Sequence, residues 1–277
     1  MSNSVSTTKY LIVAGDIAQC LLDPSDPSLP ARKTADLVKT LLARYGDQAQ
    51  VLTLGDNVYD SGTMAEFSNC YQPTWGQFLS RTWASPGNHD YALTNATDYF
   101  NYFGSGAGGD QKGYYTKTLG AWTIYSLNSN IPADDASVQS QWLSGQLVKE
   151  SGCRLAAWHY PVFSSAPRGD NPTMRSIWSK LDAAKFDAVL QGHEHQYERF
   201  APKKADGSLA EGIRSFVAGT GGASLTGFQT PRAGSEARSS TYGVLLLKLE
   251  PDRYEWSFID TASNIIDSGT ARCRFNV

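Results

Sequence analysis

Long apolar runs are missing from this sequence. The longest, LIVA at 11–14 and VLLL at 244–247, are strand-sized, far short of the roughly 20 residues that cross a bilayer. No membrane partner is expected. Residues 1–8, MSNSVSTT, are polar and contain no apolar stretch of the secretory kind. They are expected to form a disordered N-terminal segment, and either a cytoplasmic chain or one whose signal was removed would begin this way.

An excess of positive charge is missing as well. With 24 Lys and Arg against 27 Asp and Glu mixed along the chain, the net charge is -3, which provides no basic face for nucleic acid. Cysteine is sparse, with only Cys20, Cys70, Cys153 and Cys273, and no CxxC pair or Cys-His neighbour occurs. That disfavours a zinc-thiolate site. Cys20 and Cys70, which follow the Asp16 and Asp56 turns, are the expected disulfide pair, leaving Cys153 with Cys273; four buried free thiols are the alternative. If the bridges form, the compartment is oxidising and the protein extracytoplasmic.

Repeats and low-complexity linkers are absent too. At 277 residues and 41% hydrophobic, the chain suits one large domain over residues 9–277, expected as a monomer. Its apolar runs each stop at a turn with a polar residue: KYLIVAGD at Asp16, QVLTLGD at Asp56, TWASPGNH at His89, RLAAWH at His159 and AVLQGH at His193. Such runs read as strands buried on both faces. Amphipathic helices are expected between them. One runs from Pro30 towards Gly46 with Val38, Leu41, Leu42 and Tyr45 on one face. Another has Asn171 as cap, Pro172 in its first turn and the stripe Met174, Ile177, Trp178, Leu181; a third spans 137–150. A hairpin about Leu119-Gly120, a mobile loop over Gly104–Gly113 and a strand-rich region after 213 complete the pattern. The class is α/β, with two packed mixed sheets.

Histidine is scarce as well. His89, His159, His193 and His195 are the whole complement, and each stands at or just after the end of a strand-like run. Ligands collect beyond the carboxyl ends of strands in α/β sheets, so two aspartates, an asparagine, these imidazoles and Tyr59 would share one crevice. This N/O donor set suits Fe, Mn or Zn and is too rich in nitrogen for calcium. It exceeds the three protein ligands usual at one catalytic ion, so two ions are expected, about 3.5 to 4 Å apart across a bridging carboxylate.

Five blocks stand in order: GDIA (15–18), GDNVY (55–59), GNHD (87–90), AAWH (156–159) and GHEH (192–195). With them the chain resembles the calcineurin-like metallophosphoesterases, and within these the purple acid phosphatases, whose blocks read GDxG, GDxxY, GNH[ED], VxxH and GHxH. LGDNVYDSG and LAAWHYPVFSS are similar to the small mammalian-type enzymes, GHEHQYERF to the plant type. Ala18 and Ala156 depart from the pattern without removing a ligand. The resemblance implies a four-layer α/β/β/α sandwich. It implies Asp16, Tyr59 and His195 on a first metal, Asn88, His159 and His193 on a second, and Asp56 bridging. His89 would stay unligated as general acid towards the leaving group.

Tyr59 bears on the identity of the first ion. A phenol with a pKa of about 10 ligates well only after losing its proton, which a hard, highly charged ion drives. Fe(III) is therefore expected there, with Zn, Mn or Fe as the divalent partner. Together the ions would carry five positive charges; Asp16, Asp56, a Tyr59 phenolate and a bridging hydroxide would remove four, and one would remain to attract phosphate. Hydrolysis of small phosphomonoesters by a metal-activated hydroxide is the implied reaction. A phosphodiesterase for cyclic nucleotides or phospholipid head groups is the alternative. A catalytically inactive metal- or phosphate-binding protein is a further one, against which the presence of His89 speaks. With no histidine to spare, substrate contacts fall to the metals, Asn88 and His89, with Tyr160 and Arg168 as further candidates.

Overall fold

The computed structural model describes residues 8–20, 23, 25–93, 95–148 and 152–276. The expected disordered segment thus lies, Thr8 excepted, outside the described residues. In chain order the strands are β1 (Lys9–Ala14), β2 (Ala18–Gln19), β3 (Ala49–Leu54), β4 (Val58–Tyr59), β5 (Thr82–Ser85), β6 (Tyr115–Leu119), β7 (Trp122–Ser126) and β8 (Cys153–Trp158). They continue with β9 (Ala188–Gln191), β10 (Tyr197–Lys203), β11 (Ile213–Ala218), β12 (Ser235–Ser239), β13 (Gly243–Glu250), β14 (Arg253–Asp260) and β15 (Ile265–Arg272). The helices are α1 (Pro30–Tyr45), α2 (Met64–Glu66), α3 (Thr97–Phe103), α4 (Val138–Leu147) and α5 (Arg175–Ala183).

One sheet has the order β15-β14-β13-β1-β3-β5, the other β12-β10-β11-β9-β8-β7-β6, and β2 pairs with β4 in a small ribbon. Both sheets are mixed: β1, β3 and β5 run parallel, as do β7, β8, β9 and β11, with antiparallel strands outside them. The two-residue alternation of each strand divides the side chains between layers. Along β1, Leu11 and Val13 enter the core between the sheets with Leu155, Leu190, Leu245 and Leu247. Ile12 and Ala14 turn the other way, against Leu37, Val38 and Leu41 of α1. On the far side Ala156 and Val189 meet Leu143 of α4 and Ile177, Trp178 and Leu181 of α5. The four-layer α/β/β/α expectation holds.

Local signals explain most of the elements. Pro30 opens α1 and Gly46, at φ 54°, closes it. Ser137 caps α4 through the Ser140 amide, a contact worth about 1 kcal/mol. Asn171 accepts from Thr173 N, but Pro172–Met174 form a 3-10 turn before α5 begins. The expected hairpin forms with its turn at Gly120-Ala121, one residue later than read. Gly104–Gly113 is not wholly a loop: Gly104–Ala107 make a 3-10 turn, held because Tyr115 Oη donates to Gly106 O at 2.7 Å and Ala107 is fully buried. Ala18 fits its ribbon position at 2% exposure.

Both disulfides form, Cys20–Cys70 and Cys153–Cys273, across 50 and 120 residues. On a chain-entropy account they stabilise the fold by about 4 and about 5 kcal/mol.

Candidate metal centre

The carboxyl ends of β1, β3, β5, β8 and β9 converge, and the residues just beyond them are Asp16, Asp56, Asn88, His159 and His193. Three of these carry positive φ, 60° at Asp16, 48° at Asp56 and 69° at His193, a conformation that costs a residue with a Cβ roughly 1 kcal/mol or more. Mutual backbone bonds hold it: Asp16 N donates to Gly55 O at 3.0 Å, Ile17 N to Asp56 O at 3.0 Å and Gly192 N to His159 O at 3.0 Å. Packing here is tight enough to require glycine at 55, where a Cβ would stand 2.6 Å from His159 Nδ1, and at 87, where it would stand 2.2 Å from Asp56 N.

Each aspartate commits one oxygen to the scaffold and leaves one for the centre. Asp16 Oδ2 accepts from His193 N at 2.8 Å, and Asp56 Oδ1 from His89 N at 2.8 Å. Around the free Asp16 Oδ1, Tyr59 Oη lies at 2.9 Å and His195 Nε2 at 3.3 Å, themselves 3.1 Å apart. Around the free Asp56 Oδ2, Tyr59 Oη lies at 3.3 Å and His159 Nε2 at 3.2 Å. His159 Nε2 continues to Asn88 Oδ1 at 3.1 Å and His193 Nδ1 at 3.2 Å. Seven donor atoms therefore fall into two groups that meet at Asp56.

These separations fit metal ions. Two ligands about 2.1 Å from one ion and at right angles lie about 3 Å apart. The second nitrogens fit too: His159 Nδ1 bonds Leu54 O at 2.8 Å and His195 Nδ1 bonds Ser224 O at 2.7 Å. A carbonyl can only accept, so those nitrogens carry the hydrogen, and in the neutral rings both Nε2 lone pairs face inward. His89 differs. Its Nδ1 bonds Asp60 O at 2.6 Å and its ring lies 4.4 Å from that of Tyr59, outside both groups.

Without ions the centre is an array of displaced pKa values. Burial opposes charge at Asp56, yet the adjoining His159 imidazolium holds its carboxyl well below the usual range. His159 pays the same burial cost and is still pushed up to about 9 by Asp56. Burial and the charged His159 press His193 down to about 3. Tyr59 is raised well above 10 by burial, then by Asp16 and Asp56. His195 is raised despite burial, through its bond to Asp16.

Tyr160 and Arg168 lie at the rim. The Tyr160 ring is 4.6 Å from that of His193. Arg168 Nη1 donates to His193 O at 3.2 Å and stands 3.5 Å from Glu194. Three further residues escaped the sequence reading although they lie inside its blocks. Asp90 is fully buried and accepts from Gly87 N at 2.8 Å and Asn57 Nδ2 at 2.9 Å, which ties the second block to the third. Burial and then Asp56 push its carboxyl up to about 7. Glu194 is buried behind the GHEH turn, and burial raises it to about 7 against the pull of Arg168.

Residues 11–197 match the Calcineurin-like phosphoesterase family. Among curated proteins, the chain is 30% identical over 203 residues to purple acid phosphatase 21 of Arabidopsis thaliana, covering 67% of this chain and 42% of that one. It is 27% identical over 208 residues to purple acid phosphatase 22 of the same plant, covering 70% and 43%. It thus spans less than half the length of these relatives. Among solved structures, the purple acid phosphatase PPD1 from yellow lupin seeds superposes with TM-score 0.75 at 19% identity, covering 95% of this chain and 53% of that one. GAP50, the anchor in the inner membrane complex of Plasmodium, superposes with TM-score 0.73 at 13% identity, covering 96% and 89%.

Proposed function

Because the chain belongs to the calcineurin-like phosphoesterases, we propose that it hydrolyses small phosphomonoesters at a dinuclear centre, as purple acid phosphatases do. The observation that carries this reading is the division of seven donor atoms into two groups meeting at Asp56 Oδ2. Asp16, Tyr59 and His195 would hold one ion, Asn88, His159 and His193 the other, and Asp56 both. Bound there, two ions lower the pKa of water and stabilise charge on phosphoryl oxygens. With Asp60 O occupying His89 Nδ1, Nε2 is the atom left to pass a proton to the leaving oxygen. Arg168 and Tyr160 would meet the ester at the rim. Turnover of an aryl phosphate against its bis-ester tests the reading, and a preference for the diester would overturn it in favour of a phosphodiesterase.

Tyr59 points to Fe(III) in the first group, with Zn, Mn or Fe(II) in the second. Burial and two carboxylates oppose its ionisation, so only a strong Lewis acid makes it a phenolate. Iron-loaded protein is expected to show a visible phenolate-to-iron band that Tyr59→Phe abolishes; a band surviving the substitution would refute the assignment. The two disulfides go with an extracytoplasmic location.

Loading should depend on pH. His159 keeps its proton in the metal-free fold up to about 9, whereas an unfolded histidine loses it near 6.5. The stability this contributes is full below about 6.5 and gone above about 9. An ion needs the neutral ring, so the affinity of the Asn88, His159 and His193 group for a divalent ion is expected to climb as pH rises from 7 towards 9, with the His159 proton released on binding. Calorimetry in buffers of different ionisation enthalpy measures that proton, and its absence at pH 7.5 would contradict the expectation.

A further inference from the structure

One of the two disulfides, Cys20–Cys70, adjoins the candidate centre. β2 pairs with β4 through Ala18 and Val58, and Gln19 and Tyr59, a two-residue ribbon of a kind too short to hold its own register. Three links immobilise it. Ile17 N and Ala18 N donate to Asp56 O and Asn57 O at 3.0 and 3.1 Å. Gln19 Oε1 accepts from Ser224 Oγ at 3.2 Å, and it is the Ser224 carbonyl that orients His195. Cys20, the next residue, is bonded to Cys70.

Cys70 gives that bond a firm anchor. It is 7% exposed, in a segment whose Phe67 and Tyr71 rings pack against Tyr102 and Phe103. Asp16, Tyr59 and His195 thus each reach the ribbon directly or through one intervening residue. Asn88 and His159 hang from other supports, the GNHD turn closed by Asp90 on Gly87 N and the Leu54 carbonyl, while His193 is tied to Asp16 through its amide.

We infer that the Cys20–Cys70 disulfide is a positioning element for the Asp16, Tyr59 and His195 group, so that breaking it loosens that half of the centre more than the other. The inference rests on the dinuclear reading. It assigns no such part to Cys153–Cys273. Cys153 begins β8 while His159 follows its end, roughly 20 Å away at the rise of a strand.

The test compares Cys20→Ser/Cys70→Ser with Cys153→Ser/Cys273→Ser, each loaded with ferric iron and zinc, by metal analysis and the visible band under a graded chelator. Loss of a residue that orients ligands typically costs 10- to 100-fold in metal affinity. The first variant is expected to release iron at about 10- to 100-fold lower chelator than wild type with a smaller change for zinc, and the second variant to keep both. If the first variant does not fold, native protein loaded with zinc alone, which is redox-inert, is reduced stepwise, and zinc should be released to the chelator in step with labelling of Cys20 and Cys70. A wild type that binds no pair of ions overturns the dinuclear reading and this inference with it. A wild type that binds two ions, beside a Cys20→Ser/Cys70→Ser variant that holds both as tightly as the Cys153→Ser/Cys273→Ser variant does, overturns the inference alone. So does zinc that stays as tightly bound after Cys20 and Cys70 are labelled as before.

Discussion

Asp56→Asn is expected to lower kcat/KM by about 10⁴ or more, on the order of 5 kcal/mol of transition-state stabilisation. Asp56 is where the two donor groups meet, through Oδ2 at 3.3 Å from Tyr59 and 3.2 Å from His159. An amide there removes the negative charge that would offset both ions. Its other oxygen accepts from His89 N, so the new amide group must turn its NH2 towards the centre, where ligand lone pairs gather. Metal analysis after gel filtration should find fewer than two ions per chain. A variant that retains two ions and wild-type turnover would overturn the proposed bridging role of Asp56. Asp90→Asn is the useful contrast. That carboxyl is already raised to about 7, so a neutral amide alters its charge far less, and the change in kcat should stay within about tenfold.

The second large effect is expected at His89, and its signature is a dependence on the leaving group. General acid catalysis is worth about 10² to 10⁴ in rate when an alkoxide must depart. His89→Asn should therefore lower kcat on an alkyl phosphate by that factor. With p-nitrophenyl phosphate, whose phenolate leaves without a proton, the loss should stay within about tenfold. Because His89 is outside both donor groups, the variant should keep its metals and its colour. Equal losses on the two substrates would show that His89 supports the site in another way.

The site was more legible in the sequence than its surroundings, for a physical reason. Each donor stands beyond a strand buried on both faces, and such strands are continuous apolar runs with abrupt ends. The segment from 64 to 81 had no such clarity. Phe67, Tyr71, Trp75 and Phe78 have nearly helical spacing, but Pro73 interrupts them, and the chain passes through α2, a π-helical turn at Phe67–Tyr71 and a 3-10 helix at Trp75–Arg81. Strands β10 and β12 were also missed, since Tyr197–Lys203 sets charged residues among its buried ones and Ser235–Ser239 is a polar, partly exposed edge strand. Asp90, Asn57 and Glu194 lay in plain view within the blocks. A polar residue beside a ligand has no composition or period that reveals which neighbour it braces.

The origin of the donors bears on how the protein comes apart. Asp16, Asp56, Tyr59 and Asn88 all follow strands of the first sheet, and His159, His193 and His195 all belong to the second. Oxygen ligands thus stand on one side of the seam and nitrogen ligands on the other, and each donor group straddles it. Loading would rivet the two halves of the sandwich together. At free metal a hundred times Kd, mass action adds about 2.7 kcal/mol to the closed form, and prying the sheets apart becomes the same event as giving up the ions.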